Sequence, residues 1–230
     1  MPRAIGTLNE GPLHAALKAW YARPGDRLEV PVAGYIIDIV RGEQLIEIQT
    51  GSFAALKAKL QALVPEYSMT LVYPVAQEKW LVKRTAEGCE FGRRKSPQRG
   101  SVLALFNELV SIPQLLAAPG CALEVVLIRE EAVRIHDPQR AWRRKGWVIA
   151  ERRLLDVLAV QRFAAVADLA TLLPQTLPDS FTTGDLALAL ACPRRLATKM
   201  AYCLREAGAI VQVGKRERAY LYQTVAGSHE

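Results

Sequence analysis

Apolar residues recur at helical spacing over residues 8–22, LNEGPLHAALKAWYA, where Leu13, Leu17 and Trp20 share one side. Asn9 or Gly11 opens this predicted helix, with Pro12 in its first turn. ARPGD then breaks it, and Arg27–Ala33 reads as a strand kept to a sheet edge by Pro31. Tyr35–Phe53, YIIDIVRGEQLIEIQTGSF, reads as two apolar strands around a tight turn. Phe53–Val64 is strongly helical, with Phe53, Leu56, Leu60 and Leu63 on one face and Ser52 as cap. Met69–Ala76 and Lys79–Lys83 read as separate strands. The opening order is therefore α-β-β-β-α-β, a mixed α/β domain.

Further along, residues 84–101 form a basic loop, Val102–Leu116 a helix, Ala122–Arg129 a strand and Arg152–Val160 a helix. Val166–Leu173 looks helical. Thr182–Leu190 is a capped short helix, and Pro193–Ala207 a longer one stopped by Gly208. A strand, a basic turn and a second strand follow. The rhythm changes near residue 150, which predicts domains of 1–150 and 151–230.

The hairpin raises a chemical question. With Gly42 and Glu43 at the centre of a type II′ turn, 41 pairs with 44, 40 with 45, 39 with 46, and 38 with 47. Asp38 and Glu47 then lie directly opposite, with Cβ atoms about 4.5–5.5 Å apart. Two carboxylates so placed repel, and burial sharpens the repulsion. A divalent cation resolves it, and Gln49 points to the same spot. A longer turn would shift the register by one and send both acids to solvent.

Half of the residues are hydrophobic, enough for a real core, and the net charge is +7 with a pI near 9.4. That excess favours anionic partners, nucleic acid first. GRRKSPQRG concentrates Arg93, Arg94, Lys95 and Arg99. AWRRKGW sets Arg143, Arg144 and Lys145 between Trp142 and Trp147, which either stack bases or anchor a core. Cys89, Cys121, Cys192 and Cys203 are scattered, without a C-x-x-C pair, so neither a zinc site nor a disulfide framework is expected. His14 and His136 read as ordinary helix or surface residues. No secretory leader or membrane span is expected, and the chain reads as cytoplasmic.

The hairpin with its helix resembles the PD-(D/E)xK nuclease superfamily, in the manner of Holliday-junction resolvase-like members. Asp38 matches the first acid and Glu47-Ile48-Gln49 the second element, with Gln in place of Lys. Glu10 matches the helix-borne acid. The resemblance covers about residues 8–83 and implies a restriction-endonuclease-like mixed sheet flanked by helices. It further implies a Mg²⁺-dependent DNA endonuclease, with Mn²⁺ as an alternative ion. Asp38, Glu47 and the Ile48 carbonyl would hold the ion, and Gln49 and Glu10 would complete the catalytic set. A glutamine cannot carry the charge of the lysine it replaces. The alternative is an inactive nuclease-fold protein that binds DNA or regulates. Lys57 would reach phosphate, whereas Lys59 reads as a solvated helix face.

The last segment resembles a winged helix-turn-helix. Arg194, Arg195 and Lys199 would lie on its recognition helix, and Lys215, Arg216 and Arg218 at the wing. Winged helices also serve protein–protein contacts. The two resemblances imply DNA as partner, a homodimer as a further expectation, and no membrane.

Overall fold

The computed structural model describes residues 10–139 and 146–225. These residues form helices and an open sheet in a mixed α/β fold. The chain groups into two compact units. The first holds Met1–Thr50, Val72–Val102 and Val125–Gln161; the second holds Gly51–Leu71, Leu103–Glu124 and Arg162–Glu230.

In the first unit, α1 (Pro12–Tyr21) begins at Gly11, with Pro12 supplying the preset φ of a first helical turn. β1 (Arg27–Val32), β2 (Tyr35–Arg41) and β3 (Gln44–Ile48) form an antiparallel meander. β4 (Ser68–Arg84), β5 (Glu90–Lys95), β6 (Cys121–His136) and β7 (Trp147–Phe163) complete the sheet, with β4 from Val72, β6 from Val125 and β7 up to Gln161 in this unit. Its order is β1-β2-β3-β4-β6-β7, with β5 paired to β4. Leu13, Leu17 and Tyr21 of α1 pack on Ile39, Ile46, Ile48, Val72, Val126 and Ile128. The apolar stripe of the helix thus selects one face of the meander. Burying such side chains contributes about 1.5–3 kcal/mol each.

In the second unit, Phe53–Leu56 is a 3-10 turn that leads into α2 (Lys57–Leu63). Phe53, Leu56, Leu60 and Leu63 are all buried, as their spacing predicts. The Ser52 hydroxyl accepts the Ala54 N–H. α3 (Phe106–Leu109) and α4 (Val166–Ala170) are short. α5 (Thr183–Ala189) and α6 (Arg194–Glu206) pack together, and α6 ends at Gly208 with φ +84°. β8 (Ile210–Arg216) and β9 (Ala219–Thr224) form an antiparallel pair.

Several elements differ from the sequence reading. Arg152–Val160 is a strand, part of the 17-residue β7, and not a helix. Its doublets Leu154-Leu155 and Val157-Leu158 fit both periods, and pairing along β6 decides between them. Met69–Lys83 is one strand that passes through Pro74. The stretch 84–101 contains β5, which hairpins back on β4 with Trp80 opposite Lys95. Val102–Leu116 breaks into short turns. No helix among the described residues is long and apolar enough to cross a membrane.

Candidate functional site

The turn of the first hairpin follows the spacing. Gly42 takes φ +58° and Glu43 does not take a positive φ, the signature of a type II′ turn. Arg41 pairs with Gln44, Val40 with Leu45 and Ile39 with Ile46. The pairing ends there, and Asp38 and Glu47 are the next residues on the two strands.

The acids do not meet each other across an empty gap. Asp38 Oδ2 accepts the Ile48 N–H at 2.8 Å, replacing a backbone acceptor at that point of the hairpin. The same oxygen lies 3.2 Å from His14 Nε2. The other ring nitrogen, Nδ1, is 2.7 Å from Glu10 Oε1. Glu10 Oε1 in turn lies 2.7 Å from Lys18 Nζ, and Lys18 reaches Glu29 Oε1 at 2.6 Å. Glu10, His14 and Lys18 are spaced four apart and so share one side at helical period, although Glu10 itself precedes α1 and its cap Gly11. The result is a chain of alternating charge: Glu29, Lys18, Glu10, His14, Asp38.

Electrostatics follow from that chain. Burial alone would lower the pKa of His14. The hydrogen bond and charge of Asp38, then those of Glu10, outweigh it and raise His14 to about 9. The ring is therefore an imidazolium near neutral pH. Burial would raise Glu10, but hydrogen bonds from Lys18 and His14 bring it below the usual glutamate value. Lys18 is raised because its two carboxylate partners exceed its own desolvation. Glu47 is 7% exposed on β3. Gln49 lies just past the strand end, its N–H donated to the Val72 carbonyl at 2.8 Å.

This arrangement bears on the Mg²⁺ that the nuclease resemblance implies. The carboxylate oxygen of Asp38 nearest the hairpin already accepts from Ile48 and faces an imidazolium. Among the described residues, no three His, Cys, Asp or Glu side chains are grouped to hold a metal ion. The donor set as arranged fits an internal salt-bridge chain and does not fit a divalent ion unless His14 moves away from Asp38. The sequence presents His14 only as an ordinary helix or surface residue and does not single out Lys18, whereas the structure makes both members of this chain of charges. Their signal was present as a polar i, i+4, i+8 row on a helix whose other row is Leu13 and Leu17.

The basic residues divide into tied and open. Arg93 Nε donates to Glu131 at 2.7 Å, and its guanidinium lies over the Trp80 ring at 4.2 Å. Lys95 pairs with Glu78 at 3.0 Å. Lys199 Nζ donates to Asn107 Oδ1 at 2.9 Å, and Arg216 pairs with Asp185. Lys215 lies over the Tyr220 ring at 5.2 Å. By contrast Arg94, Arg99, Arg194, Arg195 and Arg218 are exposed. Arg143, Arg144 and Lys145 lie outside the described residues, as does Trp142. Trp147 opens β7 beneath Lys83 Nζ, 4.6 Å from the ring centre, and packs edge-on against His136.

Residues 11–164 match the family described as "Domain of unknown function (DUF8091)". The chain belongs to that family. The matched span runs from the cap of α1 to just past the end of β7, so it includes the Asp38 hairpin and His14. An uncharacterized protein of Treponema pallidum (strain Nichols) is 33% identical over 223 residues, which cover 95% of this chain and 87% of the relative. No solved structure matches the chain.

Proposed function

We propose that this DUF8091 protein binds DNA as a non-catalytic or regulatory protein on a nuclease-like scaffold. The observation that carries this reading is the set of open arginines. Arg94, Arg99, Arg194, Arg195 and Arg218 are exposed and form no ion pair among the described residues, in a chain of net charge +7. Acids that could have balanced them are used elsewhere: Glu131 on Arg93, Glu78 on Lys95 and Arg129, Asp185 on Arg216. Open arginines gain from phosphate contact, because a polyanion releases its counterions when they bind. Arg194 and Arg195 open α6, where a winged helix would present its first contacts. Lys199 is engaged by Asn107 and contributes less.

The test is DNA affinity measured over a range of salt. Two double variants, Arg94→Ala/Arg99→Ala and Arg194→Ala/Arg195→Ala, are compared with the native chain. For every phosphate no longer neutralised, the slope of log K against log salt is expected to flatten by about 0.9. Unchanged slopes in both variants contradict the reading.

A second reading, a Mg²⁺-dependent DNA endonuclease, is favoured by one observation: Asp38 and Glu47 are the next residues beyond the Ile39–Ile46 pair, one acid on each strand. Its test is cleavage of linear, branched and single-stranded DNA with Mg²⁺ or Mn²⁺, with an Asp38→Ala/Glu47→Ala chain as control. Metal-dependent cutting that the control loses supports it; intact DNA in every case goes against it.

A further inference from the structure

Three neighbouring strands of the sheet carry a second charged cluster that the hairpin does not use. Glu130 on β6 is fully buried, at 0% exposure. Arg152 on β7 grips it through two nitrogens, Nε at 2.9 Å and Nη2 at 2.6 Å from Oε2. The third guanidinium nitrogen, Nη1, donates to the Thr50 carbonyl at 3.0 Å, one residue past Gln49. On the other side, Lys79 of β4 places Nζ 2.9 Å from Glu130 Oε1. That contact has ion-pair distance without hydrogen-bond geometry, since Glu130 Oε1 accepts no hydrogen bond. Lys79 Nζ donates no hydrogen bond among the described residues.

A carboxylate is costly to bury and is tolerated here because two cations flank it. The trio carries a net charge of +1. Its two cations are drawn to one carboxylate and repel each other. Both remain reachable, with side chains 26% and 31% exposed. Arg152 keeps two of its five N–H donors, and the ammonium of Lys79 keeps at least two of its three. A planar fork beside a compact ammonium suits a tetrahedral oxyanion.

We infer that Lys79 and Arg152, held by Glu130, form a binding site for a phosphoryl oxyanion. As the site of a DNA backbone phosphate, it rests on the DNA-binding reading above; as a site for free phosphate, it does not. Glu130 positions the two cations and Thr50 orients the guanidinium from the end of the hairpin.

The experiment has two arms and uses the full chain. The first measures DNA affinity against salt for the native protein, Lys79→Gln and Lys79→Arg. Lys79→Gln is expected to bind about tenfold more weakly, the value of one charge-assisted hydrogen bond, with a flatter salt slope. Lys79→Arg is expected to restore most of the affinity. The second arm titrates inorganic phosphate and follows it by phosphorus NMR. It also follows protection of Lys79 from an amine-reactive reagent by mass spectrometry, which needs only the native chain.

Weaker DNA binding by Lys79→Gln, rescued by Lys79→Arg, supports the site. So does protection of Lys79 by DNA, should Lys79→Gln fail to fold. Equal affinity and equal slope in Lys79→Gln overturn it, as does modification of Lys79 at the same rate with and without DNA. Should the native chain bind no DNA, the DNA reading falls by itself. Phosphate binding that protects Lys79 then keeps the site with a free-phosphate source, and no phosphate binding removes it.

Discussion

His14 Nε2 lies 3.2 Å from Asp38 Oδ2, and the opposite ring nitrogen lies 2.7 Å from Glu10 Oε1. One imidazolium thereby bridges two carboxylates, one preceding α1 and one on β2. The puzzle of an acid in an apolar strand has its answer in the first helix. The cation that Asp38 needs is supplied by the chain itself.

That bridge titrates. The folded protein raises His14 from 6.5 to about 9. A raised pKa means the folded state holds the proton more tightly, so the stabilisation is complete below about pH 6.5 and is lost as pH rises through about 9. Glu10 has the opposite sign: its lowered pKa adds stability that is lost as pH falls through its folded value. Urea unfolding of the native chain at about pH 6 and about pH 9.5 is expected to show the lower midpoint at the higher pH. His14→Gln is expected to lose most of that difference.

Asp38→Ala removes the acceptor of the Ile48 N–H and the partner of His14 together. An N–H left unsatisfied in a part-buried place costs about 1–3 kcal/mol. Asp38→Asn keeps an acceptor and loses only the charge, so it is expected to cost less. In both variants the His14 pKa, followed by NMR, falls back toward its ordinary value. An unchanged His14 titration would show that Asp38 is not its partner.

Gly100→Ala tests the packing of the chain after β5. A Cβ there would lie 2.6 Å from the Ala76 carbonyl oxygen and 2.7 Å from Val75 Cγ1. The Gly100 N–H is bonded to that same carbonyl, so the backbone cannot drift freely. Overpacking of this kind costs about 1–3 kcal/mol. Thermal unfolding measures it directly.

Thr182→Ala tests the start of α5. The Thr182 hydroxyl accepts from the Gly184 and Asp185 N–H groups, and the Asp185 carboxylate accepts from the Thr182 N–H. Losing this reciprocal cap is expected to cost about 0.5–2 kcal/mol, read from the denaturation midpoint.

Local rules carried much of this fold from the sequence. Gly42 announced the turn and hence the register, because only glycine takes its φ easily. The row Phe53, Leu56, Leu60 and Leu63 announced a buried helical face, and Thr182 and Gly208 marked helix ends. What depended on distant partners was illegible. β7 looked helical because its apolar doublets serve either period, and only β6 makes it a strand. The candidate site divided in the same way. Asp38 and Glu47 follow from their distance to the Gly42 turn. His14 and Lys18 share a legible i, i+4, i+8 row with Glu10, but their partners Asp38 and Glu29, like those of Lys79 and Arg152, lie 11 to 102 residues away in the chain, which spacing does not encode.

The most direct measurement is anisotropy of labelled duplex and single-stranded DNA titrated with the native chain, over a series of salt concentrations in EDTA. The same mixtures, with Mg²⁺ replacing EDTA, are then run on denaturing gels. The expected result is binding that weakens steeply with salt, persists in EDTA and leaves the DNA intact with Mg²⁺. Absence of binding even at low salt would contradict DNA binding outright. Mg²⁺-dependent cutting lost in Asp38→Ala/Glu47→Ala would contradict the non-catalytic reading and establish the hairpin as a catalytic centre.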